Sequence, residues 1–316
     1  MTRTLKWRIE TPDEGKKIEE FLREHGCSHH VLTHLKRTEN GICRNGQWAY
    51  ANQRLCSGDL VQIHITEQES SEKIVPTPLP LDIVFEDEDL MVINKCSDTP
   101  IHPSIHNYDN TLANAVMYYF SQQNLPFVYR CINRLDRDTS GLLIVAKNMM
   151  SGAILSQMSS ARLIHREYLT IVEGRLPEYG TVDAPIARLD GSAIMRCVDF
   201  ERGDRAVTHY RRIAWYPLPS AECGISLAAV KLETGRTHQI RVHMKHIGHP
   251  MLGDFLYNPD SLSGGITNMK RQALHSHKLS FSHPVTGEEM SFTCDLPEDM
   301  KLVIGAGEKA AAETLK

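Results

Sequence analysis

Apolar positions in the first 65 residues recur with two different periods. In "GKKIEEFLREH" (15–25), Ile18, Phe21 and Leu22 repeat at helical spacing, and "VLTHLKRTENG" (31–41) does the same before Gly41, so two short helices are expected. From 42 to 65 the period drops to two around Asn45-Gly46 and Ser57-Gly58, which reads as a small β hairpin or meander. The pattern then breaks. "TEQESSEKIVPTPLPL" (66–81) mixes acidic residues, serines and three prolines without any period, the mark of a linker.

Beyond 81 the pattern changes again. Strand-like runs "LDIVFED" and "LMVINK" precede a loop rich in histidine and proline and then a helix, "TLANAVMYYFSQQ". After them come a strand "LLIVAK", a helix near "MSGAILSQMSSA", a strand "EYLTIVEG", strands at 205–216 and 224–233, and a hairpin turning near Thr286-Gly287. Strands outnumber helices and do not alternate with them regularly, so an α+β fold with a mixed, largely antiparallel sheet is expected. The chain divides into a small unit (1–70), a linker (71–81), a large body (82–304) and a tail (305–316) that is helical or frayed.

Composition narrows the function. Hydrophobic content of 41% and charged content of 23% are those of a globular protein. No apolar run approaches the ~20 residues that span a bilayer, and the amino terminus lacks the apolar core of a secretion signal. Eight cysteines, none in a CxxC pair, fit reduced thiols. A cytoplasmic protein without membrane attachment is expected. The net charge of −4 hides a local excess: over 28–58, Lys36, Arg37, Arg44 and Arg54 face only Glu39, so that patch is net basic.

Cofactor motifs are missing. Neither GxGxxG nor GxxxxGK[ST] nor GxSxG occurs. His238, His243, His246 and His249 fall within twelve positions, yet there is no HExxH and no Cys/His finger spacing, so no metal site is expected. Carboxylate chemistry without a cofactor remains. The stretch "INRLDRDTSG" (132–141) is the place to look: Asp136 and Asp138 stand just ahead of the apolar run "LLIVAKN". Read alone, it is either a turn of self-satisfying side chains or a chemical centre.

"RLDRDTSGLLIVAK" is similar to the catalytic motif of the RluA-type family of RNA pseudouridine synthases. Three further blocks resemble the family in the same order: "REYLTIVEG" around Tyr168, "LETGRTHQIRVHMKHIGHPMLGD" at 232–254, and "LHSHKLSFSHPVTGE" at 274–288. The amino-terminal unit resembles the S4-type RNA-binding domain that often precedes this catalytic domain. The resemblance implies a pseudouridine synthase fold and the isomerisation of specific uridines in structured RNA, ribosomal or transfer, by a monomer that needs no cofactor. It implies that Asp136 is the catalytic carboxylate, acting on the sugar or base as nucleophile or as base for a sugar proton. It pairs Asp136 with Arg241, stacks Tyr168 on the extruded base, and places Arg134 in the vacancy left in the RNA. Two positions depart from the family. Asn133 stands where histidine is usual, and Asp98 lies where many relatives carry glycine. Rival readings are a nucleoside or glycoside hydrolase using Asp136 and Asp138 as a carboxylate pair, and an inactive S4-type RNA-binding protein.

Overall fold

The computed structural model describes residues 1–218, 221–261 and 269–314. The chain begins with β1 (Thr2–Arg8), α1 (Ile18–Glu24), α2 (His29–Arg37), β2 (Ile42–Arg44), β3 (Gln47–Trp48) and β4 (Leu60–Thr66). Among the described residues these strands make a four-stranded sheet in the order β1-β4-β2-β3. Both expected helices form, and their periodic residues Ile18, Phe21, Leu22, Val31, Leu32 and Leu35 are buried against the sheet. Ser28 caps α2 by accepting a hydrogen bond from the Val31 N–H. The meander is joined by a strand that the pattern does not announce: β1 pairs antiparallel with β4 over its whole length, yet buries only Leu5.

The body adds β5 (Ile83–Glu86), β6 (Leu90–Lys95), α3 (Leu112–Ser121), β7 (Arg130–Cys131), β8 (Ser140–Ala146), α4 (Met149–Ser160) and β9 (His165–Glu173). It continues through β10 (Tyr179–Asp183), β11 (Ile186–Arg188), β12 (Arg196–Val198), β13 (Val207–Leu218), β14 (Ala221–Leu232) and α5 (Gln239–His246), then β15 (Leu274–Ser282), β16 (Glu289–Thr293) and α6 (Glu298–Thr314). Among the described residues, ten strands share one sheet along β10-β13-β14-β9-β15-β8-β6-β5, with β16 beside β15 and β7 beside β8. Among the described pairs, β8 with β15 is parallel and the others are antiparallel, as the mixed pattern predicts.

Two expected boundaries look different in three dimensions. Residues 305–314 are the second half of α6 rather than a separate tail, and residues 315–316 lie outside the described part. The segment proposed as a linker has no regular element, but it is fastened along the body. The Ser70 and Ser71 hydroxyls accept from the N–H groups of Phe127 and Tyr129, and Asn114 Nδ2 donates to the Val75 carbonyl.

The small unit is also packed onto the body. Met149 and Met150 of α4 belong to its apolar core, with Ile154 packed against it. Gly26 sits at φ +86, and a Cβ there would lie 2.5 Å from Ile154 Cγ1, so glycine is what lets the two units approach. Charges lock the edge. Arg3 donates through Nε and Nη2 to Asp89 at 3.0 and 2.7 Å, and Asn148 and Ser151 supply two more donors to the same carboxylate. Glu67 pairs with Arg130 and accepts from the Met149 N–H.

Burial pushes the Asp89 pKa up, but the Arg3 hydrogen bonds, with those of Asn148 and Ser151, more than offset it and hold the carboxyl below its ordinary range. A depressed folded-state pKa stabilises above the unfolded value, about 4, and that stability is lost as the pH falls through the lower folded value. Arg3→Ala is therefore expected to cost about 1–3 kcal/mol near neutrality, with the deficit shrinking below about pH 4. Thermal unfolding of both proteins across that range checks it, and a deficit independent of pH would exclude the ion pair as the source.

Candidate functional site

Asp136 sits in the loop that links β7 to β8, and neighbouring residues pin that loop from below. Asn133 is buried and its Oδ1 accepts from the Ile144 N–H at 2.9 Å, while its Nδ2 has no hydrogen-bond partner among the described residues. Leu135 enters the main core. The Thr139 N–H donates to the Asp136 carbonyl at 3.1 Å, closing a turn, and Arg271 Nη1 donates to the Asp138 carbonyl at 3.0 Å. Lys95, only 1% exposed, donates to the carbonyls of Cys96, Thr99 and Arg137, stapling a second loop to the turn. Burial pulls the Lys95 pKa down to about 7, while three carbonyls match its three donors.

The residues after Asp136 serve the sheet. Gly141 has φ +109, and a Cβ there would lie 2.3 Å from the Ser276 carbonyl oxygen, so only glycine permits the parallel contact of β8 with β15. The Asp138 carboxylate is held by its neighbour Arg137, whose Nε and Nη2 donate at 3.1 and 3.2 Å. Asp98 adopts φ +54, the left-handed conformation that glycine takes without strain.

Arg241, on α5, reaches across to Asp136. Its Nη1 donates to Asp136 Oδ2 at 3.0 Å, and its Nε and Nη2 grip Asp254 at 2.7 and 2.8 Å. The guanidinium also lies 5.0 Å from the Tyr257 ring centre. Burial opposes its charge, but the hydrogen bonds to Asp254 and the two carboxylates more than compensate, so its pKa lies above the usual arginine value. The Arg241 and Asp254 side chains are 7% and 1% exposed, whereas Asp136 keeps 26%. A buried cation thus holds one carboxylate in the protein and presents the other to solvent.

His238 precedes α5 with φ +57. The Tyr257 oxygen accepts from the Arg196 N–H at 2.9 Å, which leaves its O–H to donate to His238 Nδ1 at 2.8 Å. That pattern puts the ring proton on Nε2, 3.8 Å from Asp136 Oδ2. Burial lowers the His238 pKa despite the facing Asp136 carboxylate, favouring this neutral ring. Gln239 anchors the approach to α5 through Thr234, the Arg236 N–H, the Val207 carbonyl and Thr208.

Asp136, Arg134, Tyr168 and Arg241 line one cavity of about 780 Å³, together with the apolar Ile101 and Leu274. Tyr168 is 4% exposed and Arg134 stands exposed at the mouth. Asp136, His238 and Arg241 also line a second cavity of about 930 Å³, so Asp136 stands on the divide. The four basic residues of the small unit lie outside both. Lys36 pairs with Glu19 at 2.8 Å, and Arg44 and Arg54 donate to the carbonyls of Arg54 and Gly15, while Arg37 is exposed without an ion pair among the described residues.

The clustered histidines separate in space: His243 is buried between Thr208 and the Ala184 carbonyl, and His249 bonds the Glu173 carbonyl. Among the described residues, Asp87, Asp89 and His283 form the one group that offers three metal-ligating atoms close together. Those atoms already serve Arg3, Asn148 and Ser151, and the His283–Asp87 contact at 2.9 Å. The sequence pattern does not single out Asp254 or Tyr257 and weighs His238 only within the histidine cluster; Asp254 closes the 232–254 block, but nothing local marks Tyr257.

Residues 89–246 match the family model described as RNA pseudouridylate synthase. A Bacillus subtilis protein named uncharacterized RNA pseudouridine synthase YjbO is 39% identical over 288 residues, covering 91% of this chain and 98% of that protein. The ribosomal large subunit pseudouridine synthase D of Zymomonas mobilis is 44% identical over 237 residues, 72% of this chain and 73% of the relative. A solved human structure, RNA pseudouridylate synthase domain containing 1, aligns with a TM-score of 0.56 at 27% identity, covering 68% of this chain and 83% of that one.

The unequal burial of the two carboxylates around Arg241 has a measurable consequence. Asp254→Ala strips the buried guanidinium of its bidentate partner and is expected to cost about 3–5 kcal/mol. Asp136→Ala leaves that clamp intact and is expected to cost less than half as much. Urea unfolding of the two variants checks the order, and equal losses would refute the division of roles.

Proposed function

Because the chain belongs to the RNA pseudouridylate synthase family, we propose that its large body isomerises uridine in structured RNA at the cavity shared by Asp136, Tyr168, Arg134 and Arg241, with Asp136 as the acting carboxylate. The observation that carries this reading is the Asp254–Arg241–Asp136 chain ending on the wall of a cavity that Tyr168 also lines. At about 780 Å³ the cavity falls within the range of ligand clefts, about 300–1,000 Å³.

The reaction breaks the bond from ribose C1′ to N1 of uracil, turns the base, and rejoins it through C5, with a proton leaving C5 and one arriving at N1. Atoms are conserved. Asp136 acts on the sugar or base, and Arg241 fixes the direction of its carboxylate. Tyr168 supplies a face for the extruded base, and stacking of that kind is worth about 1–3 kcal/mol toward the cost of flipping. We assign Arg134, which is exposed and lines the same cavity, to the gap left in the RNA.

The substrate proposed is ribosomal RNA of the large subunit, which the names of the synthase D relatives specify for those proteins. Transfer RNA is the second candidate. No helix among the described residues is long and apolar enough to cross a membrane, and we assign the protein to the cytoplasm, where that RNA is made. We read residues 1–70 as an S4-like module that contacts RNA through Arg37 and the neighbouring Lys36, Arg44 and Arg54, and the protein as a monomer without metal or cofactor.

The carboxylate-pair hydrolase has less support, because Asp138 is engaged by Arg137 and lines only the cavity away from Tyr168. Asp136→Asn should lower pseudouridine formation by on the order of 10³-fold or more, while Asp138→Asn retains most of it. Pseudouridine mapping in large-subunit RNA from cells complemented with each variant measures both. A wild-type rate for Asp136→Asn would overturn the assignment.

A further inference from the structure

The cavity around Asp136 does not end at Tyr168. It shares Ser159, Ser160, Arg166 and Arg236 with a neighbouring open cleft of about 540 Å³. One side of that cleft is the carboxyl end of α4 with Arg162; its floor is formed by the start of β9, the end of β14, and Lys278 and Ser280 of β15.

The charges lining the cleft do not balance. Its two carboxylates are already engaged: Glu167 pairs with Lys231 at 3.3 Å, and Glu233 is held by Arg205 and His209 at 3.0 and 2.9 Å. Arg236 pairs with Asp204 at 3.1 Å. Arg162, Arg166 and Lys278 are left with no carboxylate partner among the described residues. Arg166 lines both the cleft and the catalytic cavity, and its Nε is buried without a hydrogen-bond partner among the described residues. In a chain of net charge −4, three uncompensated cations and three serine hydroxyls along one cleft are a local reversal of sign. Guanidinium forks, an ammonium and hydroxyls are the groups that hold phosphodiester oxygens.

We propose that this cleft is the phosphate track for the RNA strand flanking the uridine in the catalytic cavity, with Arg166 holding the phosphate at the junction and Arg162 and Lys278 the phosphates beyond it. The assignment rests on the uridine-isomerising reading above, and it adds a backbone path separate from the basic patch of the small unit. Contacts of this kind fix register and carry affinity without reading bases.

The test uses the full chain and large-subunit ribosomal RNA from cells that lack the protein, with filter binding and single-turnover pseudouridine formation measured separately. Each single-stranded phosphate contact contributes about 0.7 to the slope of log affinity against log salt. Arg162→Gln with Lys278→Gln should flatten the slope by about 1.4 and raise KM about tenfold or more, leaving the saturating rate within about twofold. Arg166→Gln should flatten it by a further ~0.7, and Arg166→Lys should restore part of the affinity. The control is Lys301→Gln with Lys309→Gln, the same charge change on α6, which should leave the slope unaltered. An unchanged slope in the cleft variants, or an equal change in the control, overturns the phosphate track. Absence of pseudouridine with wild-type protein overturns the reaction reading instead, and the binding slopes still decide the cleft.

Discussion

A buried guanidinium has to be paid for by carboxylates, and Arg241 sets the terms for everything around it. Two of its nitrogens are saturated by Asp254 inside the protein, and the third is left pointing at Asp136 on the cavity wall. Taking an arginine out of water is tolerable only when its donors are met, so the positions of α5, of the Asp254 segment and of the Asp136 turn are constrained together. Asp254 follows Arg241 by 13 residues, whereas Asp136 precedes it by 105. The ten-stranded sheet is the frame that brings both carboxylates to within 3.0 Å of the Arg241 guanidinium, and the strained entry to α5 at His238 is part of the same fit.

The elements around this cation are held by small, specific devices more than by bulk burial. Gly141 lets two strands run parallel where a Cβ would collide, and Lys95 gathers three carbonyls from two loops. Asn133, where the family usually has histidine, still ties its loop to β8 through one amide oxygen. These contacts fix the turn that carries Asp136 from several sides, as its proposed role asks.

Much of this was legible in the chain, and the omissions have physical causes. Ile18, Phe21 and Leu22 announce their helix because all three are buried on one face, and Asp136 announces itself by standing in a dense motif. Strand β1 is silent because it buries one residue, Leu5, and owes its place to backbone pairing with β4, which leaves no trace in hydropathy. The stretch before Ile83 reads as a free tether because its anchors are serine hydroxyls and carbonyls, and partner identity for such groups is not encoded locally. Tyr257 is invisible for the same reason: its work is done on His238 and Arg241, across a turn of the chain that no periodicity describes.

Helix α4 has a double allegiance. Its first residues, Met149 and Met150, fill the core of the small amino-terminal unit, and its last, Ser159 and Ser160, border the cavity and the cleft beside it. Twelve helical residues rise about 18 Å, and an α-helix scarcely stretches. Helix α4 therefore sets a fixed spacing between the core of the small unit and the wall of the cavity. An RNA that touches both the small unit and the cavity must present its two contact points at a set separation, which a folded RNA meets through its three-dimensional shape even where its letters differ.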